Sequence, residues 1–470
     1  MVFRFLTPDK SKRKPCPDTD GFSIRLIATP PYAKNISFAR LKNHRQFAQG
    51  FYREAMAGLQ NNQLKAPDRI VVSLPPLGVA EQAFKIRDFI NRSAQYDARR
   101  VLQQVNQDSQ PSERSLKRHA TAPHTTAGTA NWALKQPSYA QPTSHCQVII
   151  DIMDAWPETF YRALPSPLRK TLGPILLAPM HRSAQRAYQG ADKISAVGQN
   201  YLNLAQQYLQ SSRVVSCPWG ALAPDSDKAT GTKSQSLKQS NSLSRRIEEK
   251  PDHSAAKPSL PPLPLCYHGT DLERFPRSKS EDGSVAKPLQ LVYIGALETS
   301  YDLNTIIEAV ESLNQSGTRT ECHIAGAGSQ EATLKARIQQ ANQAAKAPII
   351  IFHGHLQKAA LDALLENSHF GMIPMQADSF VGLPYKMADY TRTGLPILSS
   401  LGGESRELIE HKKAGAFYRS GSRDHLVEVI QSIVQQPALY NSMASNSRQI
   451  AEQLFDRTIT YKQLAKFIIA

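Results

Sequence analysis

Short apolar runs alternate along this chain with longer stretches whose apolar residues recur at helical spacing. In the front half the runs fall at 24–28, 70–74, 148–152, 194–197 and 214–215, with helical stretches near 38–59, 79–94, 165–189 and 199–210. In the back half the runs fall at 289–294, 322–325, 349–352, 370–373, 397–398 and 415–418. Helical stretches lie between and after them, near 302–314, 330–344, 358–366, 384–393, 404–411 and 423–435. Runs that are almost wholly apolar suit strands buried on both faces, so the alternation predicts parallel sheets covered by helices. Two such series with one break predict two doubly wound, Rossmann-like domains facing across a cleft. Ligands of such sheets bind beyond the carboxyl ends of the strands, so the cleft is the predicted site.

Two segments have too little to bury. Residues 104–143 are rich in Ser, Thr, Gln, Pro and His, and residues 222–262 in Ser, Lys and Pro. Both read as disordered insertions, the first within the front domain (20–220) and the second before the back domain (264–450).

Charge separates the halves. Of the net +16, residues 1–220 carry 29 Lys/Arg against 14 Asp/Glu, and the remainder 27 against 26. A basic front half suits an anionic membrane surface or a phosphorylated substrate. Without interleaved aromatics or a reading helix, nucleic acid is not an expected partner. Cys16, Cys146, Cys217, Cys266 and Cys322 show no CxxC spacing, which predicts neither a disulfide framework nor a zinc site. No run is long enough for a transmembrane helix and the N-terminus lacks a signal-peptide core, so the expected location is cytoplasmic or peripheral on a membrane. Residues 162–188, with Arg169, Lys170, Arg182 and Arg186 among Leu172, Ile175, Leu176, Leu177 and Met180, read equally as a membrane-resting ledge or as core.

The chemistry concentrates between residues 382 and 400. A kink at Gly382, Leu383 and Pro384 leads into a helix carrying Lys386 and Asp389, closed by a turn at Gly394. A helix start offers unpaired N–H groups to a phosphate, Lys386 adds a point charge, and Asp389 can accept the hydroxyls of a ribose. Gly326, Ala327 and Gly328 follow a strand and precede a helix, but Glu331 replaces the third glycine of a dinucleotide fingerprint. They read as a tight strand-to-helix turn. Asp151 and Asp154 end a strand, where an acid can hold or deprotonate an acceptor hydroxyl or simply cap the next helix. His353 and His355 share a strand face, too few ligands for a metal. Glu404 can cap its helix or touch a ligand hydroxyl.

The back half resembles the C-terminal domain of GT-B glycosyltransferases of the family-4, or group 1, type. The likeness is carried in order by YIGALETSYDL (293–303), HIAGAGSQ (323–330), IFHGHL (351–356), GLPYKMADYTRTGLPILSS (382–400) and GGESRELI (402–409). DIMDAWPE (151–158), ADKISAVGQNYL (191–202) and CYHGTDLERF (266–275) look like features of the same family. The resemblance implies the GT-B fold, a front domain for the acceptor, a back domain for the donor and a hinge at Tyr267, His268 and Gly269. It also implies a final helix (456–470) crossing back to the front domain. The donor would be a nucleotide sugar, UDP- or GDP-linked, with no further cofactor and no metal. The acceptor would be a glycan or lipid-linked glycan in cell-surface polysaccharide synthesis, with anomeric configuration usually retained. Asp154 is favoured to position the acceptor and Lys386 to meet the leaving diphosphate, with Gly295, Ser300, Gly326, Gly382, Leu383, Pro384, Asp389 and Glu404 around the donor.

Two departures stand out. Asp389 takes the place of the family's second glutamate, while Val381 stands at the first, with Asp378 nearby. The loop from Gly295 to Asp302 lacks the Arg and Lys that often hold the diphosphate, leaving backbone N–H groups, Thr299, Ser300 and Lys386. A non-catalytic scaffold or a nucleotide-sugar epimerase on the same fold are the competing readings.

Overall fold

A computed structural model describes residues 2–6, 24–30, 37–108, 145–210, 265–272, 288–345, 347–379 and 381–470. The segment 222–262, most of 104–143, the run at 214–215 and Phe275 lie outside the described residues. Residues 104–108 prolong a helix.

The front domain holds two parallel sheets: β1 (Val2–Leu6) with β2 (Ile24–Ala28), and β3 (Arg69–Leu74), β4 (Gln147–Ile152) and β5 (Lys193–Ala196) in the order 3-4-5. The domain therefore starts before residue 20. The five-residue run VFRFL was hidden by the basic, hydrophilic stretch after it. In β4, Val148, Ile149, Ile150 and Ile152 are wholly buried, which is why the strand reads as continuously apolar. Each such side chain contributes about 1.5–3 kcal/mol on leaving water. The covering helices are α1 (Phe38–Gln60), α2 (Leu77–Asp108), α3 (Ser166–Thr171), α4 (Gly173–Gly190) and α5 (Gln199–Gln210). The stretch 165–189 is two helices, not one. Gly173 lies so close to Tyr161 that an added Cβ would sit 2.7 Å from its ring, and Pro174 then starts the new helix.

The back domain is one six-stranded parallel sheet. Its strands are β6 (Leu289–Ile294), β7 (Thr320–Ala325), β8 (Ile350–Gly354), β9 (Phe370–Ile373), β10 (Ile397–Ser399) and β11 (Gly415–Phe417), in the order 11-10-9-6-7-8. The chain builds outward from β6 to β8, then returns to the other side of β6. The switch point lies between β6 and β9, where such sheets place ligands. Helices α6 (Leu303–Gln315), α7 (Glu331–Ala344), α8 (Lys358–Glu366), α9 (Lys386–Arg392), α10 (Glu404–His411) and α11 (Arg423–Val434) cover it. A further helix, α12 (Pro437–Ile450), was not predicted. Its buried face includes Ala444 and Ser447, whose hydroxyl donates to the Leu395 carbonyl, so apolar periodicity is faint.

The last helix, α13 (Arg457–Ile469), leaves the back domain and lies against the front one. Lys193 Nζ donates to the Phe467 carbonyl at 3.1 Å, and the Arg69 guanidinium donates to that of Ile469. The chain thus passes between domains at 265–272 and again at 455–457. The two passes are paired: Thr270 N–H donates to Phe455 O and Arg457 N–H to Thr270 O.

Candidate active site between the domains

The carboxyl ends of β4, β6, β7 and β8 open onto one interdomain cleft of about 800 Å³. Asp154 and Arg40 reach it from the front domain; Gly295, Gly326, Leu383, Pro384, Lys386 and Asp389 line it from the back. All of these but Arg40 are predicted site residues, and they come together here.

Lys386 is the first residue of α9 and is 6% exposed. Its Nζ lies 4.1 Å from the ring centre of Tyr293 and 3.8 Å from that of Tyr301, with no hydrogen-bond partner. Burial pushes its pKa well below the ordinary lysine value. The ring faces pull the other way, because their quadrupoles favour a cation. An anion in the cleft would complete the charge balance. Gly295 leaves room for this side chain: a Cβ there would meet Lys386 Cε and Nζ at 3.2 Å.

Asp389 follows on the same short helix. Its side chain is 36% exposed and lies 3.6 Å from Arg392, whose guanidinium is more closely held by Asp362 at 2.7 Å. Burial raises the Asp389 pKa while Arg392 opposes. Its carboxylate can accept hydroxyls from a ligand in the cleft.

The glycines pack loop against loop. Gly326 (φ +157°) donates its N–H to Gly354 O at 2.7 Å, and a Cβ on it would fall 1.8 Å from Gly295 O. Gly295 and Leu297 donate their N–H groups to Ala325 O and Ala327 O. These two amides of the loop, expected to face the diphosphate, are already engaged.

Asp154 is half-buried and held by its own turn. It accepts from the Ala155 N–H at 2.8 Å, Trp156 Nε1 at 3.2 Å and, more weakly, the Thr159 hydroxyl at 3.4 Å. Burial raises its pKa, with these donors and Arg40 opposing. A carboxylate has about four acceptor sites, so one remains to orient a hydroxyl. Asp151 is turned into the sheet, accepting from the Ser195 hydroxyl at 2.8 Å.

Three predicted donor residues lie off the cleft walls. Ser300 is not among them, and its carbonyl accepts from Gln376 N–H; Asp302, not Ser300, caps α6 by accepting from Thr305. Glu404 instead joins the domains, accepting from Gln199 N–H at 2.7 Å and the Tyr267 hydroxyl at 2.8 Å. Gly382 donates its N–H to the Tyr201 hydroxyl at 3.2 Å, tying the kink to the front domain. Asp378 does not replace the absent acid, because it pairs with Arg169 at 2.9 Å.

The histidines divide. His353 Nε2 lies 3.0 Å from His323 Nδ1, away from the cleft walls, while His355 lines the cleft. Among the described residues no three His, Cys, Asp or Glu side chains could hold a metal. His268 also lines the cleft, its ring 3.7 Å from that of Tyr385 and its pKa pushed down to about 4 by burial. Sequence reasoning missed Tyr293, Tyr301 and Arg40. Tyr293 could have been found, because it stands two residues before Gly295 on a strand.

The family model of glycosyl transferases group 1 matches residues 275–450. Among curated proteins, the chain is 27% identical to the amylovoran biosynthesis glycosyltransferase AmsK of Erwinia amylovora over 203 residues, 43% of this chain and 49% of that one. It is 26% identical to glycogen synthase of Mycobacterium tuberculosis over 199 residues, 42% of this chain and 46% of that one. The matched stretch thus spans about half the length of these relatives. Among solved structures, sucrose-phosphate synthase from Thermosynechococcus elongatus superposes with a TM-score of 0.58 at 10% identity, covering 99% of this chain and 88% of that one. Anabaena HepE in complex with UDP-glucose gives 0.51 at 11% identity, covering 95% and 85%. At such identities the likeness is one of fold, and that fold is GT-B. Over residues 275–450, the back domain is similar to the glycosyl transferases group 1.

Proposed function

We propose that the chain transfers a sugar from a nucleoside-diphosphate sugar, UDP- or GDP-linked, to a hydroxyl of a glycan or lipid-linked acceptor. We place this work in cell-surface polysaccharide synthesis, on the cytoplasmic side of a membrane. One observation carries this reading: the Lys386 ammonium is buried and unpartnered on the cleft wall, across from Asp154.

In this reading the diphosphate lies against Lys386 and Pro384, and the ribose hydroxyls donate to Asp389. The bond from sugar C1 to the diphosphate oxygen breaks through an oxocarbenium-like state, and the acceptor oxygen bonds to C1. The electron pair leaves with the diphosphate, where Lys386 meets the developing charge. The acceptor proton passes to the leaving phosphate oxygen or to Asp154, which orients the hydroxyl.

The experiment is a thermal-shift panel of UDP, GDP, ADP and CDP on wild type and Asp389→Ala. A ligand at a hundred times its Kd stabilises by about 2.7 kcal/mol. One base shifting wild type and not the variant supports the donor site and names the nucleotide. No shift with any of them overturns the reading in favour of a non-catalytic binding protein.

A further inference from the structure

Helix α4 carries one continuous stripe. Leu172 just before it, then Ile175 and Leu176, Pro179 and Met180, and Ser183 recur at the three- and four-residue spacing of a single face. The first part is bare: Ile175 is 69% exposed and Leu176 59%, beside exposed Leu168 and Leu172. The second part walls a groove of about 420 Å³, whose other walls combine Leu41, Ala48, Leu77 and Trp156 with the polar Arg45 and Glu81. That volume falls among pockets that hold small ligands, roughly 300–1,000 Å³.

The groove's inner wall adjoins the cleft. Trp156 donates its indole N–H to Asp154 Oδ2, and Arg40 lies 4.9 Å over its ring. Both Asp154 and Arg40 line the cleft. The buried Trp156 indole thus stands between the groove and the candidate acceptor acid.

Charge says what the open end meets. Residues 159–191 contain no Asp or Glu, while Arg162, Arg169, Lys170, Arg182 and Arg186 all fall within them. Lys170 and Arg182 are exposed. Arg169 is turned inward to Leu164 O and Asp378, which ties the ledge to the back domain. Arg186 is paired with Glu81 at 2.7 Å, but exposed leucine and isoleucine beside the exposed Lys170 and Arg182 match an anionic bilayer, where apolar side chains enter the interface and lysines meet headgroups. No helix among the described residues is long and apolar enough to cross a membrane, so attachment through this face would be peripheral.

We infer that the exposed end of α4 rests on an anionic lipid surface and that the adjoining groove takes the hydrocarbon chain of a lipid-linked acceptor. This rests on the transferase reading only in calling the lipid an acceptor.

The test floats the whole chain with phosphatidylglycerol-containing vesicles and with pure phosphatidylcholine vesicles. Wild type should float with the first and not the second, and Ile175→Glu with Leu176→Glu should cut that partition about tenfold or more. Both positions are exposed, so the double variant should keep wild-type thermal stability. A groove-filling Ser183→Trp should abolish binding of decyl phosphate, measured by calorimetry, without changing flotation. No flotation of wild type, or flotation indifferent to the double variant, overturns the membrane contact. So does a wild-type dimer that the double variant makes monomeric in light scattering, which would assign the face to self-association. Decyl phosphate binding unaffected by Ser183→Trp overturns the groove. Nucleotide shifts report on the donor site separately, so either idea can fail alone.

Discussion

Glu404 Oε2 accepts the backbone N–H of Gln199 at 2.7 Å, across the boundary between the two domains. Its other oxygen takes the Tyr267 hydroxyl, so one carboxylate clasps the front domain and the connecting segment. A hydrogen bond to a charged group contributes about 1.5–3 kcal/mol. Glu404→Ala should enlarge the radius of gyration in small-angle scattering and weaken nucleotide affinity about tenfold. Unchanged scattering would mean that the domains are held by other contacts.

Lys386 should harm the empty protein and serve the loaded one. Its pKa is pushed down by burial, so the folded state holds its proton less tightly than the unfolded chain, and stability is lost as pH falls from the ordinary lysine value down to the folded one. Lys386→Met keeps the volume and removes the charge. Without nucleotide it should melt a few degrees higher than wild type at neutral pH, and it should lose the nucleotide shift. A variant that melts lower would show that the Tyr293 and Tyr301 rings outweigh desolvation.

A buried acid beneath the Asp154 turn makes stability fall with pH. Glu158 is wholly buried, accepts from the Tyr208 hydroxyl at 2.9 Å, and has its pKa pushed up by burial from 4.5 to about 7. Its neighbour His181, 3.9 Å away, is pushed down to about 4, so the pair is not ionic near pH 5–6. The folded state binds the Glu158 proton more tightly than the unfolded one. Its contribution is full below about pH 4.5 and is lost as pH rises to about 7, on the order of 3 kcal/mol. His181 runs oppositely, its contribution lost as pH falls from 6.5 towards 4. Glu158→Gln should gain on wild type across pH 4.5–7 in thermal melts. Parallel curves would sink the assignment.

Gly326→Ala tests the loop-to-loop contact. Its Cβ would lie 1.8 Å from a backbone oxygen, at a φ side chains rarely adopt. A loss on the order of 3 kcal/mol is expected in denaturant unfolding, with the nucleotide shift lost as well.

The back domain was readable because its strands are nearly all apolar and its loops carry glycines at the strand ends. Val2–Leu6 and α12 escaped for opposite reasons, one masked by basic neighbours and the other by its small polar buried face. Within the site, Lys386 and Asp389 were legible from their place on one short helix. Glu404 and Ser300 were misplaced because sequence adjacency to a glycine turn does not say which way a side chain faces. Of the tyrosine pair around Lys386, Tyr293 had a signal in its place before Gly295, whereas Tyr301 could not be weighed without geometry.

The two chain passes between the domains, joined at Thr270, Phe455 and Arg457, act as a pair of parallel pins. A single tether would let the domains swivel freely, as on a ball joint. Two tethers bonded side by side leave one easy rotation, like a door on its frame. The mouth of the cleft can swing while its inner edge stays in register, so Asp154 would approach Lys386 along the same arc at each closing.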